Sequence, residues 1–257
     1  FAPATTWTTG KAPSGGTGGM GTVISQNLEH ESYVPITVTY TITPTGPAPT
    51  YCVGLPVTRQ VIVNPVARIS NKTASICSGG TFAVTPSNGG TEIVPTGTTY
   101  TWSAPVISPA GSITGGSAQP TGQTSISQAL TNTSNASATA TYTETPQSGT
   151  CPGPTFTVTA TVNPVPSISN KTATICSGGT FTVTPANGGA EIVPTGTTYT
   201  WSAPVISPAG SITGGSAQPT GQTSISQALT NTTNAAATAR YTVTPLSGTC
   251  PGPTFTV

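Results

Sequence analysis

Side chains able to move protons, hold metals or pair with phosphate are scarce in this 257-residue chain. They are Glu29, Glu31, Glu92, Glu144 and Glu191 against Lys11, Arg59, Arg68, Lys72, Lys171 and Arg240, with His30 as the sole imidazole and no Asp. General acid–base pairs, carboxylate cages for Ca²⁺ or Mg²⁺, and basic tracks along nucleic acid all need such groups in clusters. The sequence holds no such cluster. A single His without an Asp also excludes Ser/His/Asp and Cys/His nucleophile systems, and no phosphate loop ending in GK[ST] occurs. The expectation is a non-enzyme with no catalytic residue, no cofactor, no metal and no nucleic-acid partner.

The remaining chemistry belongs to five cysteines. Cys77 and Cys176 lie in an "ICSGGTF" turn; Cys52, Cys151 and Cys250 lie in "TYCVGLP" or "GTCPGP" turns. Two per repeating unit is a disulfide count. Pairing Cys77 with Cys151 and Cys176 with Cys250 gives the same 74-residue separation twice and leaves Cys52 with a partner outside the sequence. These two turns fall at opposite ends of a simple sandwich, so joints cross-linked through neighbours remain open, such as Cys52 with Cys77 and Cys151 with Cys176. Nothing has the paired CxxC spacing of a zinc site. Disulfides imply an oxidising compartment, hence an exported, extracellular protein.

The elements that carry these turns recur. Residues 71–158 reappear as 170–257 at an offset of 99, with nine differences in 88 aligned positions. Residues 21–65 are a diverged copy of the second half of that unit, and Trp7 matches Trp102. The expected organisation is a partial unit at 1–66, a complete one at 67–165, and one at 166–257 whose last strand is cut short. The sequence reads as an internal piece of something longer: residues 1–30 lack a signal peptide, and no apolar run approaches a membrane span, so no direct membrane insertion is expected.

Only 4% of residues are charged, while 56 are Thr, 26 Ser, 30 Gly and 26 Pro. Disorder is one outcome of such a composition, but the apolar residues alternate, which argues for folded strands. Phe82 and Val84 share a face, as do Tyr100 and Trp102, Ile126 and Leu130, Ala140 and Tyr142, and Phe156, Val158, Ala160 and Val162. Thr fills the intervening positions, and Gly and Pro clusters punctuate the runs. About seven short strands per unit, without a helical period, predict an all-β chain of tandem immunoglobulin-like β-sandwiches. A flat β-solenoid is the competitor. Pro65, Pro164 and Pro166 leave the joints little freedom, so the array is expected to be rod-like.

The segments "NKTATICSGGTFTVTP", "TTYTWSAP", "QTSISQALTN" and "ARYTVTPLSGTCPGPTFTV" resemble the PKD-like repeats of very large surface proteins of gliding and related Bacteroidota, among them SprB-type gliding adhesins. The likeness covers residues 67–257 well and 1–66 in part. It implies a cell-surface array exported by the type IX secretion system and working in attachment or gliding motility. Trp102 and Trp201 are followed by "SAP" rather than a "WDFGDG"-like acidic turn, which puts any function of that turn in doubt here.

Several residues admit a sharper reading. Trp102 with Tyr100, and Trp201 with Tyr199, could stack on sugar rings, although their parity favours the core. Thr155, Thr157 and Thr159 form a hydroxyl row of the kind ice-binding surfaces use, but outward Thr is also the default strand filler. Lys72 and Lys171 with Glu92 and Glu191 could serve a Lys–Asn isopeptide bond, which needs a buried triad. Asn71, Asn132, Asn135, Asn170 and Asn231 satisfy N-x-S/T. Thr141, Glu144 and Gln147 become Arg240, Val243 and Leu246 in the last unit, marking a hairpin expected to touch a neighbour. The expected function is the stalk or filament shaft of a secreted adhesin. Its partners would be neighbouring repeats, other copies in a filament or surface polysaccharide. A carbohydrate-binding module, or the accessory region of a secreted enzyme, is the alternative.

Overall fold

The computed structural model describes residues 5–9, by their backbone, and 19–257; these residues form strands and no helix. Alternating Thr and apolar side chains suit a pleated sheet with one buried face, and Gly or Pro punctuates many of the turns between runs. The first sheet comprises β1 (Thr5–Thr9), β2 (Gly19–Gly21), β3 (Ile36–Pro44) and β4 (Val57–Val63), in the order β2-β1-β3-β4.

The central repeat supplies β5 (Lys72–Cys77), β6 (Thr81–Val84), β7 (Thr99–Trp102), β8 (Val106–Ser108), β9 (Ile113–Thr114), β10 (Gln119–Gln123), β11 (Ile126–Ala129), β12 (Thr131–Asn132), β13 (Ala138–Ser148), β14 (Cys151–Pro152) and β15 (Phe156–Asn163). The main sheet runs β10-β7-β13-β15-β5, with β8 and β14 also on β13; the β11–β6 and β12–β9 pairs form the facing layer. Every pair is antiparallel except β15 with β5. Ala138, Ala140 and Tyr142 on β13, and Phe156, Val158, Ala160 and Val162 on β15, turn into one core with Phe82, Ile113, Ile126 and Leu130. This is the immunoglobulin-like sandwich that the alternation predicts, not a solenoid.

The third repeat builds the same core from Phe181, Tyr199, Trp201, Ile225, Tyr241, Val243 and Phe255. It departs at one edge. Residues 171–176 match β5 in sequence but form no strand, because the counterpart of β15 extends only over Phe255–Thr256.

The tight fit between layers is visible at Gly116, where an added Cβ would lie 2.7 Å from Pro105 Cγ and 2.9 Å from the Tyr142 hydroxyl. That hydroxyl is buried without a hydrogen-bond partner. Tyr142→Phe is therefore expected to stabilise the repeat by about 1 kcal/mol, since it deletes an unpaired polar group. Gly116→Ala is expected to cost about 1–3 kcal/mol by overpacking. Thermal unfolding of the two variants checks both signs.

The cysteine pairing differs from the expected one. Cys77 is bonded to Cys250, 173 residues away, with a Cα–Cα distance of 5.6 Å, and Cys52, Cys151 and Cys176 are thiols. Neither the 77–151 pair nor the 176–250 pair forms. The register supplies the reason. Cys77 lies opposite Asn163, where β15 ends, whereas Cys151 pairs with Ser148 in the hairpin before β15 begins. Eight residues of β15 separate the two ends by roughly 25 Å, far beyond the reach of a disulfide. The neighbour pairings 52–77 and 151–176 do not form either. Instead, the exit end of the central repeat meets the entry end of the next, where Gly252 packs against the Pro166 carbonyl.

Candidate functional site

The aromatic pairs that could have formed a sugar platform are in the core. Trp102 and Trp201 are 6% and 5% exposed and Tyr100 and Tyr199 both 2%, so no ring face is presented. Each indole N–H donates to a backbone carbonyl, of Ser117 at 3.1 Å and Ser216 at 3.2 Å. Tyr100 meets Phe156 edge-on at 6.2 Å, and Tyr199 meets Phe255 in the same way. These contacts brace strands of one sheet, while Phe82 against Tyr142 and Phe181 against Tyr241, each at 5.5 Å, join the two layers.

The recurring Lys and Glu form a surface clasp. Lys72 pairs with Glu92, which also accepts from the Ser70 hydroxyl and backbone N–H; Lys171, Glu191 and Ser169 repeat the arrangement. The lysines are 27% and 29% exposed, so the buried triad of an isopeptide bond is not present. The hydrogen bonds from Lys171 and Ser169 hold the Glu191 carboxyl down at about 2. Its folded value lies below its unfolded one, so its stabilisation is present above the ordinary carboxylate range and fades as pH falls toward 2. Carboxyl-detected NMR titration should find Glu191 ionised at pH 3, and Lys171→Met should return it toward 4.5.

Four of the five N-x-S/T asparagines are hydrogen-bonded into the fold, and Asn135 is exposed. Asn71 and Asn170 accept the backbone N–H of Thr157 and Thr256 at 2.9 and 2.8 Å. Asn132, 3% exposed, donates to the carbonyls of Ala136 and Val162 and accepts from Ser134. Asn231 keeps the Ala235 and Thr233 bonds. On the outer face of β15, Thr157 and Thr159 stand opposite Thr143 and Thr141, and the Thr141 and Thr159 hydroxyls lie 3.4 Å apart. His30 bridges the Val63 carbonyl and the Ser32 N–H.

The expected contact hairpin does not present one face. Strand alternation turns Val243 into the core, fully buried between Trp201 and Phe255, while Arg240 and Leu246 point outward. What reading the differences between copies missed is burial. Glu144, at the matching place in the central repeat, is 0% exposed between Trp102 and Phe156, and neither carboxylate oxygen has a hydrogen-bond partner. Burial pushes its pKa up to about 8. The signal was available: Ala140, Tyr142 and Glu144 share one parity.

A groove of about 720 Å³ opens in the third repeat between residues 171–177 and 236–241. In the central repeat the same space is filled by Thr159–Asn163, paired to β5 on one side and to β13 on the other. The groove is thus shaped to the backbone and small side chains of a strand. Among the described residues, no three His, Cys, Asp or Glu side chains gather as a metal site.

No curated protein matches the chain. Among solved structures, the FN1–FN3 domains of chicken CNTN1 align at 11% identity over 99% of this chain and 88% of that one, with a TM-score of 0.33. The EC21–23 repeats of human CDH23 align at 11% identity over 86% and 73%, with a TM-score of 0.30. The Bacteroides ovatus mixed-linkage glucan utilization locus protein SGBP-B, in complex with a mixed-linkage heptasaccharide, aligns at 13% identity over 99% and 60%, with a TM-score of 0.17. The PKD-like domain signature matches residues 74–166 and again 173–257, well over half of the sequence, so the chain belongs to the PKD-like domain family as a tandem of such domains.

Proposed function

We propose that this chain is a non-catalytic spacer, the stalk or filament shaft of a large secreted cell-surface adhesin used in attachment or gliding motility. Its units are read as a partial repeat at 1–66 and successive domains at 67–165 and 166–257, forming a stiff rod. The observation that carries the reading is the near-identity of two repeats whose distinctive side chains point inward. Trp102, Tyr100 and their copies hold the core, and the Lys–Glu clasp and Asn bonds tie loops to strands. A spacer needs many equivalent rigid units, whereas a receptor site needs one distinctive surface. The disulfide supports an oxidising, extracellular setting. Export through the type IX route and a gliding role rest on the resemblance to SprB-type repeats.

Antibodies against residues 67–257 should label intact, unpermeabilised cells. Deleting repeats in frame should shorten the surface filaments in proportion and weaken attachment or gliding without abolishing export. A glycan array probed with the purified chain should show no selective binding. Selective retention of one polysaccharide would favour the carbohydrate-binding alternative, and failure to label intact cells would remove the cell-surface reading.

A further inference from the structure

Among the described residues, the one disulfide crosses a joint. Cys77 closes the end of the central repeat from which β15 exits, and Cys250 sits, fully buried, in the hairpin where the third repeat receives the chain. The 99-residue period places Cys176 in the turn equivalent to that of Cys77, and Cys151 in the hairpin equivalent to that of Cys250. The local geometries match. Gly178 and Gly79 share a φ of 82°, Gly149 and Gly248 a φ of 58°, and Cys151 and Cys250 each pair with the Ser three residues before.

We propose that every joint of the repeat array is stapled in this way, the first cysteine of one repeat bonding the second cysteine of the next. Cys176 is then one half of a following joint, and Cys151 and Cys52 are the far halves of preceding ones. Each bond forms as two thiols lose two protons and two electrons to a disulfide oxidant, which is itself reduced to two thiols.

The connectivity has a mechanical consequence. From Cys151 the chain runs along β15, through the Pro164–Pro166 joint and along residues 171–176 to Cys176, 25 residues that cross two repeats from end to end. A staple then carries the force onward without entering the rest of either repeat. The array becomes two interlaced covalent tracks, offset by one repeat, each spanning two repeats with 25 residues. Fully extended, 25 residues reach only about 90 Å, close to the folded length of two small sandwiches end to end, so pulling finds almost no hidden length to release. With the pairs inside each repeat instead, the residues outside the loops would still pay out one domain at a time.

The inference does not need the adhesin reading, and its test reads bond connectivity rather than attachment or export. The full chain, oxidised with glutathione disulfide, is digested with trypsin without reduction. The fragments 73–171 and 241–257 should be joined, with 172–240 released alone, and the junction should survive in Cys151→Ala and vanish in Cys77→Ala. A closed loop within 73–171, or 172–240 joined to 241–257, would overturn the proposal. Pulling the oxidised chain by its ends should give a final contour about 600 Å shorter than in reductant, because the staple withholds a 173-residue loop. A chain lengthened by one further repeat should bond Cys176 to the second cysteine of the added repeat. Cys176 left as a thiol while Cys77 is fully oxidised would confine the staple to one joint and refute the rule.

Discussion

Glu144→Val should stabilise the central repeat by about 3 kcal/mol at pH 7 and by on the order of 5 kcal/mol above pH 8. The substitution installs the side chain that the third repeat carries as Val243 in the same core position, where it is fully buried against Phe255 and Trp201. The packing is therefore already known to accept it. What is removed is a carboxyl group with no hydrogen-bond partner on either oxygen, raised by burial from 4.5 to about 8. Between those values the folded chain holds a proton that the unfolded chain has released, so stability falls as pH rises. Below about 4.5 the group is neutral in both states, and above about 8 it is charged in both, so the penalty is flat on either side.

Amide exchange along β13 at pH 4 to 9 isolates the central repeat from its neighbours and reads this profile directly. The gap between the variant and the natural chain should widen with pH across that window. Glu144→Gln should remove the pH dependence while leaving a buried amide unpaired, and so recover only part of the stability. A gap independent of pH would mean that the carboxylate is solvated or paired in the folded state.

Much of the sandwich was legible in the sequence because a strand writes its burial in a two-residue code. Phe156, Val158, Ala160 and Val162 were predicted to face inward and do. The same code pointed at Glu144, yet its charge invited a surface reading, and only the facing layer shows that no partner reaches it. The cysteines were harder. Spacing along the chain made 77–151 and 176–250 attractive, but which end of a repeat a turn occupies depends on the direction of β15 beside β5. A parallel pair at the edge of an otherwise antiparallel sheet is a property of the assembled fold, not of any local run. Lys72 and Glu92 recur for a local reason, the clasp on Ser70, which their separation of 20 residues could not disclose.

The second large effect concerns the edge where near-identical sequences fold differently. Residues 72–77 and 171–176 differ only at Ser75 and Thr174, yet the first run is a strand and the second is not. Local propensity is the same, so the partner decides: Val158–Asn163 pairs with the first run, and the third repeat offers only the Lys171 N–H bond to the Thr256 carbonyl. A chain continued after Val257 by Thr-Ala-Thr-Val-Asn, the residues that follow Val158, should fill the groove beside 171–177. Its Ala and Val would take the places that Ala160 and Val162 hold at 0% exposure, and Asn231 would regain the second carbonyl that Asn132 finds at Val162. Burying those two side chains is expected to stabilise the third repeat by about 3 kcal/mol, and exchange of the 172–176 amides should slow by about 100-fold. Replacing the added Val by Asp should cancel both gains, because the register places it between Ile175 and Ala237, while the cations that line the groove, Lys171 and Arg240, stand beside Val257 and the residue after it. Unchanged exchange in the lengthened chain would show that pairing to the final strand is not what orders the edge.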